Sequence, residues 1–478
     1  MNWTRPFPVL TAALLAPAGL VALAPQAGAQ TLADALAQAY ANNPALLAAR
    51  AQLRAVDENV PQALAGWRPT VSITNSFGYA DGRVRSLTQA FDPNTGGARQ
   101  VGVSSHNDRT VATNTVTVTQ PIFRGGRTVA TTRRAESQVL AQRARLLATE
   151  QQVMQDTVTA YVGVIRDQEL LRLNINNEQV LTEQLRATNE RFRVGEITRT
   201  DVAQAESRLA GARSQRAQAE GNLQISRATF QRLVGLPPGA LIAPQPLRVP
   251  LRTSQEVAQA AAANNPNVVA ALFDEVGARD NVNIQTSALA PTLSVSTQAG
   301  RNDNNLTNHT RQTFAQVTAN LTVPLYQGGA EYSAIRQARQ SAQQARQTVD
   351  DQRRTVVQQA TQAWEQLQSS RAQVESVRAQ IRAAEIALDG VQREAIVGSR
   401  TTLDVLNAEQ ELLNARTSLV QALSTVVQQS YALAATIGRL TASDLGLAVD
   451  TYDMRAYYNE VRNRWIGFGD YSGVAERR

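Results

Sequence analysis

The side chains that most often carry enzyme chemistry are scarce in this sequence. There is no cysteine, so thiolate nucleophiles, thiolate metal sites and disulfides are excluded. His106 and His309 are the two imidazoles, and no acid or base is placed with them in a recognisable pattern. The Gly-x-Ser-x-Gly elbow, the His-Glu-x-x-His zinc motif and the Walker phosphate loop are absent. An enzyme is therefore not expected, and neither is a cofactor or a metal site. More informative are two glycine turns, Arg-Val-Gly195-Glu-Ile-Thr-Arg-Thr-Asp201 and Ile-Val-Gly398-Ser-Arg-Thr-Thr-Leu-Asp404. Glycine takes the left-handed conformation that ends a helix. Thr198 or Thr200 in the first turn, and Ser399 or Thr401 in the second, are candidates to cap the helix that follows.

These turns must sit between long helices. From Gly126 to Arg193 there is no proline, and Gly163 is the one glycine within that run. At 1.5 Å per residue such a helix is about 100 Å long. The stretch 329–397 is equally free of proline. Along it Ala360, Ala363, Leu367, Ser370, Val374, Val377, Ile381, Ala384, Leu388 and Val391 step by three and four, which is a coiled-coil seam with small knobs. After Gly398 two neighbouring seams run side by side, Leu406, Leu413, Val420, Val427 and Leu412, Leu419, Val426. Two seams let one helix touch a partner on each side, as a cylinder of helices requires.

The halves of the chain repeat one another. TLADALAQAYANNPALLAA (31–49) aligns with TSQEVAQAAAANNPNVVAA (253–271), an offset of 222. Trp67-Arg-Pro-Thr aligns with Leu289-Ala-Pro-Thr at the same offset. From Gln120-Pro-Ile-Phe-Arg-Gly-Gly126 and Val323-Pro-Leu-Tyr-Gln-Gly-Gly329 onward the offset is 203, so the first half carries 222 − 203 = 19 extra residues between Pro69 and Pro121. Each half holds two period-2 segments: about 71–79 and 111–120, then about 292–300 and 312–323. These are expected to be strands with one apolar and one wet face, joined by polar loops at 80–110 and 301–311. Ten tilted residues match a bilayer core.

The amino terminus carries Arg5, an apolar run from Val9 to Ala24 and the small pair Ala27 and Ala29, which reads as a secretory signal over 1–29. Beyond it no run of about 18 apolar residues occurs, so spanning, if any, falls to strands. The net charge of +7 comes entirely from arginines. They alternate with acids and glutamines along the helices, as on a solvated face, so no nucleic acid partner is expected. Four strands cannot close a barrel, and an open edge cannot face lipid. Several chains must pool their strands; three would give twelve, wide enough for a channel.

The repeat, the strand–Pro–x–x–x–Gly-Gly–helix junctions and the paired turns together resemble the TolC family over residues 31–440. That resemblance implies a mixed α and β membrane protein: a homotrimeric twelve-stranded transmembrane β-barrel, four strands per chain, continued by a periplasmic coiled-coil α-barrel. It divides the chain into repeats at 30–243 (helices about 126–193 and 199–233) and 244–440 (helices about 329–397 and 401–436), with 441–478 as an extension that decorates an equatorial belt or trails as a tail. It implies an exit duct in the outer membrane, serving an efflux pump or type I secretion system with a periplasmic adapter and an inner-membrane transporter. Gly195, Thr198, Gly398 and Thr401 would lie in adapter-contacting turns, Thr200, Asp201 and Arg400 in a closing gate, and Asp404 in an acidic ring. A family tyrosine three residues before the second turn glycine is Ala395 here, and the companion to Asp404 one turn on is Asn407. The competing reading is a periplasmic coiled-coil adapter, whose helical hairpins look alike but which has no use for strands of bilayer length.

Overall fold

A computed structural model describes residues 30–91, 93–305 and 309–468. The expected signal segment 1–29 lies outside the described residues. Each half opens with two short helices, α1 (Leu32–Asn42) and α2 (Pro44–Asp57) in the first, α6 (Ser254–Asn264) and α7 (Pro266–Thr286) in the second. The repeated Asn-Asn-Pro explains both corners. Asn43 and Asn265 sit in extended backbone, as a residue before proline prefers, and each side chain caps the helix that its proline begins. The same side chains reach across the fold: Nδ2 of Asn43 donates to Leu233 O and Nδ2 of Asn265 to Thr436 O, both at 3.0 Å. The motif thus latches each short helix to the end of its own returning long helix.

After α2 come α3 (Asn59–Leu64) and a 3-10 turn, Ala65–Trp67, leading into the sheet. β1 (Thr70–Phe91), β2 (Ala98–Arg124), β3 (Thr292–Asp303) and β4 (Arg311–Thr322) form one antiparallel sheet in the order β1-β2-β3-β4. Register places like with like. Val71 faces Val118, Ile73 faces Val116, Val118 faces Thr297, and Leu293 faces Leu321. One face therefore carries Val71, Ile73, Phe77, Tyr79, Val116, Val317 and Leu321, each an exposed large hydrophobic side chain within the single chain. The opposite face carries Ser72, Thr74, Ser76, Thr115, Thr117, Ser296 and Thr318. The sheet is a wall with an oily side and a wet side, and within the chain β1 and β4 are its two edges.

The segment 80–110 departs from the expected loop. β1 runs on to Phe91 and β2 starts at Ala98, with unbroken pairing from Ala80↔Arg109 to Phe91↔Ala98. The 19 extra residues lengthen a hairpin. Polar and charged residues stand on both of its faces, with Arg83 opposite His106 on one and Arg99 opposite Ala90 on the other, so no apolar alternation announces it. His106 is accordingly a strand residue, 3.1 Å from Asp81. The second loop is shorter than 301–311, since β3 extends to Asp303 and β4 begins at Arg311.

Two helices of 67 residues dominate the molecule, α4 (Arg127–Arg193) and α8 (Ala330–Ile396), each about 100 Å long. Each returns as α5 (Arg199–Val234) or α9 (Thr402–Thr436). α4 packs on α5, α8 on α9, and α4 also on α9, which joins the repeats. Every seam residue of α8 from Ala360 to Val391 is buried or half-buried, as is every residue of the two α9 seams. The largest core lies at mid-height, where Tyr161 and Phe230 are fully buried with ring centres 6.2 Å apart. Gln30 bridges Leu241 there, and the Tyr161 hydroxyl contacts Gln30 O and Ile242 O, each at 2.8 Å. The carboxy-terminal stretch from Thr441 packs over this belt and ends in a short helix, α10 (Ala456–Val461), and the residues up to Phe468. No described helix is long and apolar enough to cross a membrane.

Candidate functional site: the helical tips

The two tips are built alike from equivalent residues. α4 ends in a Schellman motif: the N–H of Glu196 donates to Arg191 O and that of Gly195 to Phe192 O. α8 ends the same way, Ser399 N–H to Glu394 O and Gly398 N–H to Ala395 O. Both glycines have φ of +81°, which a Cβ disfavours. Ala395 therefore supplies a backbone carbonyl to the turn where a tyrosine was the family expectation.

The returning helices start with reciprocal caps. Asp201 N–H donates to Thr198 Oγ1 while Asp201 Oδ2 accepts from Thr198 N–H at 2.9 Å and from its hydroxyl at 2.7 Å. Thr401 and Asp404 repeat this at 3.0 and 2.8 Å. Thr198 and Thr401 are thus the caps, not Thr200 or Ser399; the Ser399 hydroxyl instead donates to Glu394 O at 2.9 Å, closing the preceding helix. The hydrogen bonds from Thr198 hold the Asp201 carboxyl below its usual range, and those from Thr401 do the same for Asp404, with Arg400 adding to the effect. Both are anionic at neutral pH.

Two ion pairs flank the turns. Arg191 meets Glu196 at 2.5 Å and Arg400 meets Glu394 at 2.8 Å. Within one chain Arg400 is therefore paired on its own turn and not with Asp201. The Glu394 partner is invisible in the sequence, because the five residues between the two close up only once the turn has formed. Thr200 is exposed beside Asp201. Asn407 accepts from Arg208 of α5 at 2.9 Å, tying the second tip to the first, and Leu181, Leu209, Ala212 and Leu406 form a small core beneath them. Phe192, Val194, Ile396 and Val397 lie exposed at the tips, apolar side chains with no cover in the single chain.

Oily-faced sheet at one end, exposed charged tips at the other and a helical shaft between them define the class of outer-membrane duct proteins. Comparison with known proteins agrees. The profile of the outer membrane efflux protein family matches residues 35–236 and 257–439. The outer membrane efflux protein BepC of Brucella suis is 36% identical over 460 residues, covering 96% of each chain. The outer membrane protein TolC of Vibrio cholerae is 25% identical over 443 residues, covering 90% of this chain and 96% of its own. Among solved structures, the Campylobacter jejuni CmeC outer membrane channel superposes with a TM-score of 0.72 over 90% of this chain and 89% of that one, at 17% identity. The chain belongs to the outer membrane efflux protein family. It is an outer-membrane channel protein of the kind that serves efflux and secretion, with a periplasmic helical part.

Proposed function

We propose that three copies assemble into one duct that conducts cargo from an inner-membrane transporter, through a periplasmic adapter, to the cell exterior. The observation that carries this reading is the open four-stranded sheet. Its apolar face suits lipid, but its two unpaired edges do not, because each unpaired backbone group costs several kcal/mol in hydrocarbon. β4 of one copy pairing with β1 of the next removes both edges over the length of β4, and three copies make a twelve-stranded barrel with the threonine and serine face lining water. The helices then continue the barrel as a tube.

At the far end the tips carry the gate. Thr200, Asp201 and Arg400 stand on symmetric turns, where one copy's Arg400 exchanges its Glu394 partner for a neighbour's Asp201 in the closed state. A single exposed pair is worth under about 1 kcal/mol, but threefold repetition multiplies the bias. Gly195, Thr198, Gly398 and Thr401 shape the surface presented to the adapter, with Phe192, Val194, Ile396 and Val397 as its apolar part. Asp404 spends one carboxylate oxygen on its cap and presents a negative charge at the constriction; three copies form a ring that favours cations.

Planar-bilayer recording tests the tip assignments. Arg400→Ala, alone or with Asp201→Ala, is expected to raise single-channel conductance. An unchanged conductance removes the gate. In the same recordings Asp404→Ala is expected to shift the reversal potential in a salt gradient toward lower cation preference, and an unmoved potential removes the ring.

A further inference from the structure

The carboxy-terminal extension climbs the molecule toward the barrel. Its contacts with α4 move steadily back along that helix. Ala442 N–H donates to Glu150 at 2.8 Å, Tyr458 stacks on Arg143 at 5.2 Å, and Arg462 pairs with Glu136 at 2.9 Å. Fourteen residues of helix separate Glu150 from Glu136, a rise of about 21 Å toward the strands. On the way Tyr452 N–H donates to the Tyr40 hydroxyl at 3.0 Å, and the Tyr457 hydroxyl meets Glu58 at 2.9 Å. The climb ends at Arg68, whose Nη1 donates to Arg464 O at 2.7 Å and whose guanidinium lies 5.1 Å from the Trp465 ring centre. Arg68 is two residues before β1 begins and three before Val71, the first residue of the oily face. At about 3.4 Å per residue, Trp465 is anchored roughly 10 Å from the edge of the lipid-suited band.

Past this anchor, residues 465–468 are apolar and bare. Trp465 is 65% exposed, Ile466 90% and Phe468 fully so. Large aromatic and aliphatic side chains in sequence, held by arginines at the foot of a membrane barrel, are the chemistry of the headgroup boundary, where an aromatic ring is half in oil and a guanidinium meets phosphate. The second repeat has no counterpart, since Ala290 stands where Arg68 does and, among the described residues, no such strap crosses it.

We propose that residues 465–468 dip into the periplasm-facing leaflet of the outer membrane and fix the height of the barrel in the bilayer. The occupant of this surface is phospholipid, because the patch continues the oily face of β1 downward. The proposal rests on the barrel reading of the sheet, and one experiment separates the two. The absence of cysteine makes spin labelling clean. Full-length chain in phospholipid nanodiscs is labelled singly at Ile466→Cys, Phe468→Cys, Phe77→Cys on the oily face and Arg199→Cys at a tip. Collision rates are measured with oxygen, which concentrates in lipid, and with a neutral nickel chelate, which stays in water. The labels at 466 and 468 are expected to match the label of Phe77→Cys, with an oxygen-to-nickel ratio several-fold above that of Arg199→Cys. A ratio like that of Arg199→Cys places the segment in water and overturns the proposal. Protection from both reagents places it against another chain and also overturns it. If Phe77→Cys itself behaves as water-exposed, the barrel reading fails and takes the proposal with it.

Discussion

Single carboxylates show how opposite environments give opposite pH behaviour. Asp201 and Asp404 are held below the usual 3.8 by their threonine hydrogen bonds. Their contribution to the tips is present above that value and is lost as pH falls through the lowered pKa. Asp57, at the end of α2 and 1% exposed, is the reverse case. Burial pushes it up to about 7, against the pull of Arg143, and Glu58 adds to the rise. A raised carboxyl leaves stability intact below 3.8 and erodes it as pH rises through about 7. At about 1.4 kcal/mol per pKa unit, the ionised form costs the fold a few kcal/mol. Asp57→Asn is therefore expected to raise the thermal midpoint at pH 8 and to leave it nearly unchanged at pH 4. Equal loss of stability at both values would show that the ionised carboxylate is a needed partner of Arg143. Legibility from sequence stops short at this scale. Threonines beside both turn glycines are plain to see, but the choice between Thr198 and Thr200, or between Ser399 and Thr401, depends on where the first helical turn starts. Asn-Asn-Pro is visible as a repeat marker, whereas nothing local signals that Asn43 and Asn265 reach residues about 190 and 170 positions away.

Elements were legible wherever one face was apolar. The α8 seam steps by three and four because its neighbour covers one stripe, and the structure buries those same residues. The strands near 71–79 and 312–323 alternate because lipid and water lie on opposite sides. The outer halves of β1 and β2 did not register, since Asp81, Arg83, Arg85, His106 and Asp108 all fall on the face that carries Val71 and Tyr79 and end its apolar alternation. This sets a limit on what that hairpin does. The oily face ends at Tyr79, opposite Thr110, so pairing beyond it adds little to lipid contact. Deleting 83–106 leaves Gly82 next to Asn107, which face each other in the register, as a two-residue turn of favourable type. This shortened protein is expected to reach the outer membrane as a heat-resistant oligomer in the normal amount, read on unheated and heated gels. Loss of the oligomer would mean that the projecting hairpin drives assembly.

For the whole molecule, the decisive fact is a mismatch between what one chain has and what a membrane demands. A chain with helices about 100 Å long and a wall of four strands has no way to enclose its own wet face. The duplication supplies the rest of the geometry, giving two tips, two strand pairs and two Asn-Asn-Pro latches per copy, so three copies approach sixfold symmetry along the shaft. The need for more than one chain was readable from strand length and number. The count of three was not, since the curvature that sets it comes from strand tilt and from contacts between copies. Native mass spectrometry of the protein extracted from outer membranes into detergent addresses that count directly. Particles of three chain masses are expected, with no stable single chain or pair. A dominant monomer, able to hold the 71–79 and 315–323 side chains away from water by itself, would contradict the account at its root.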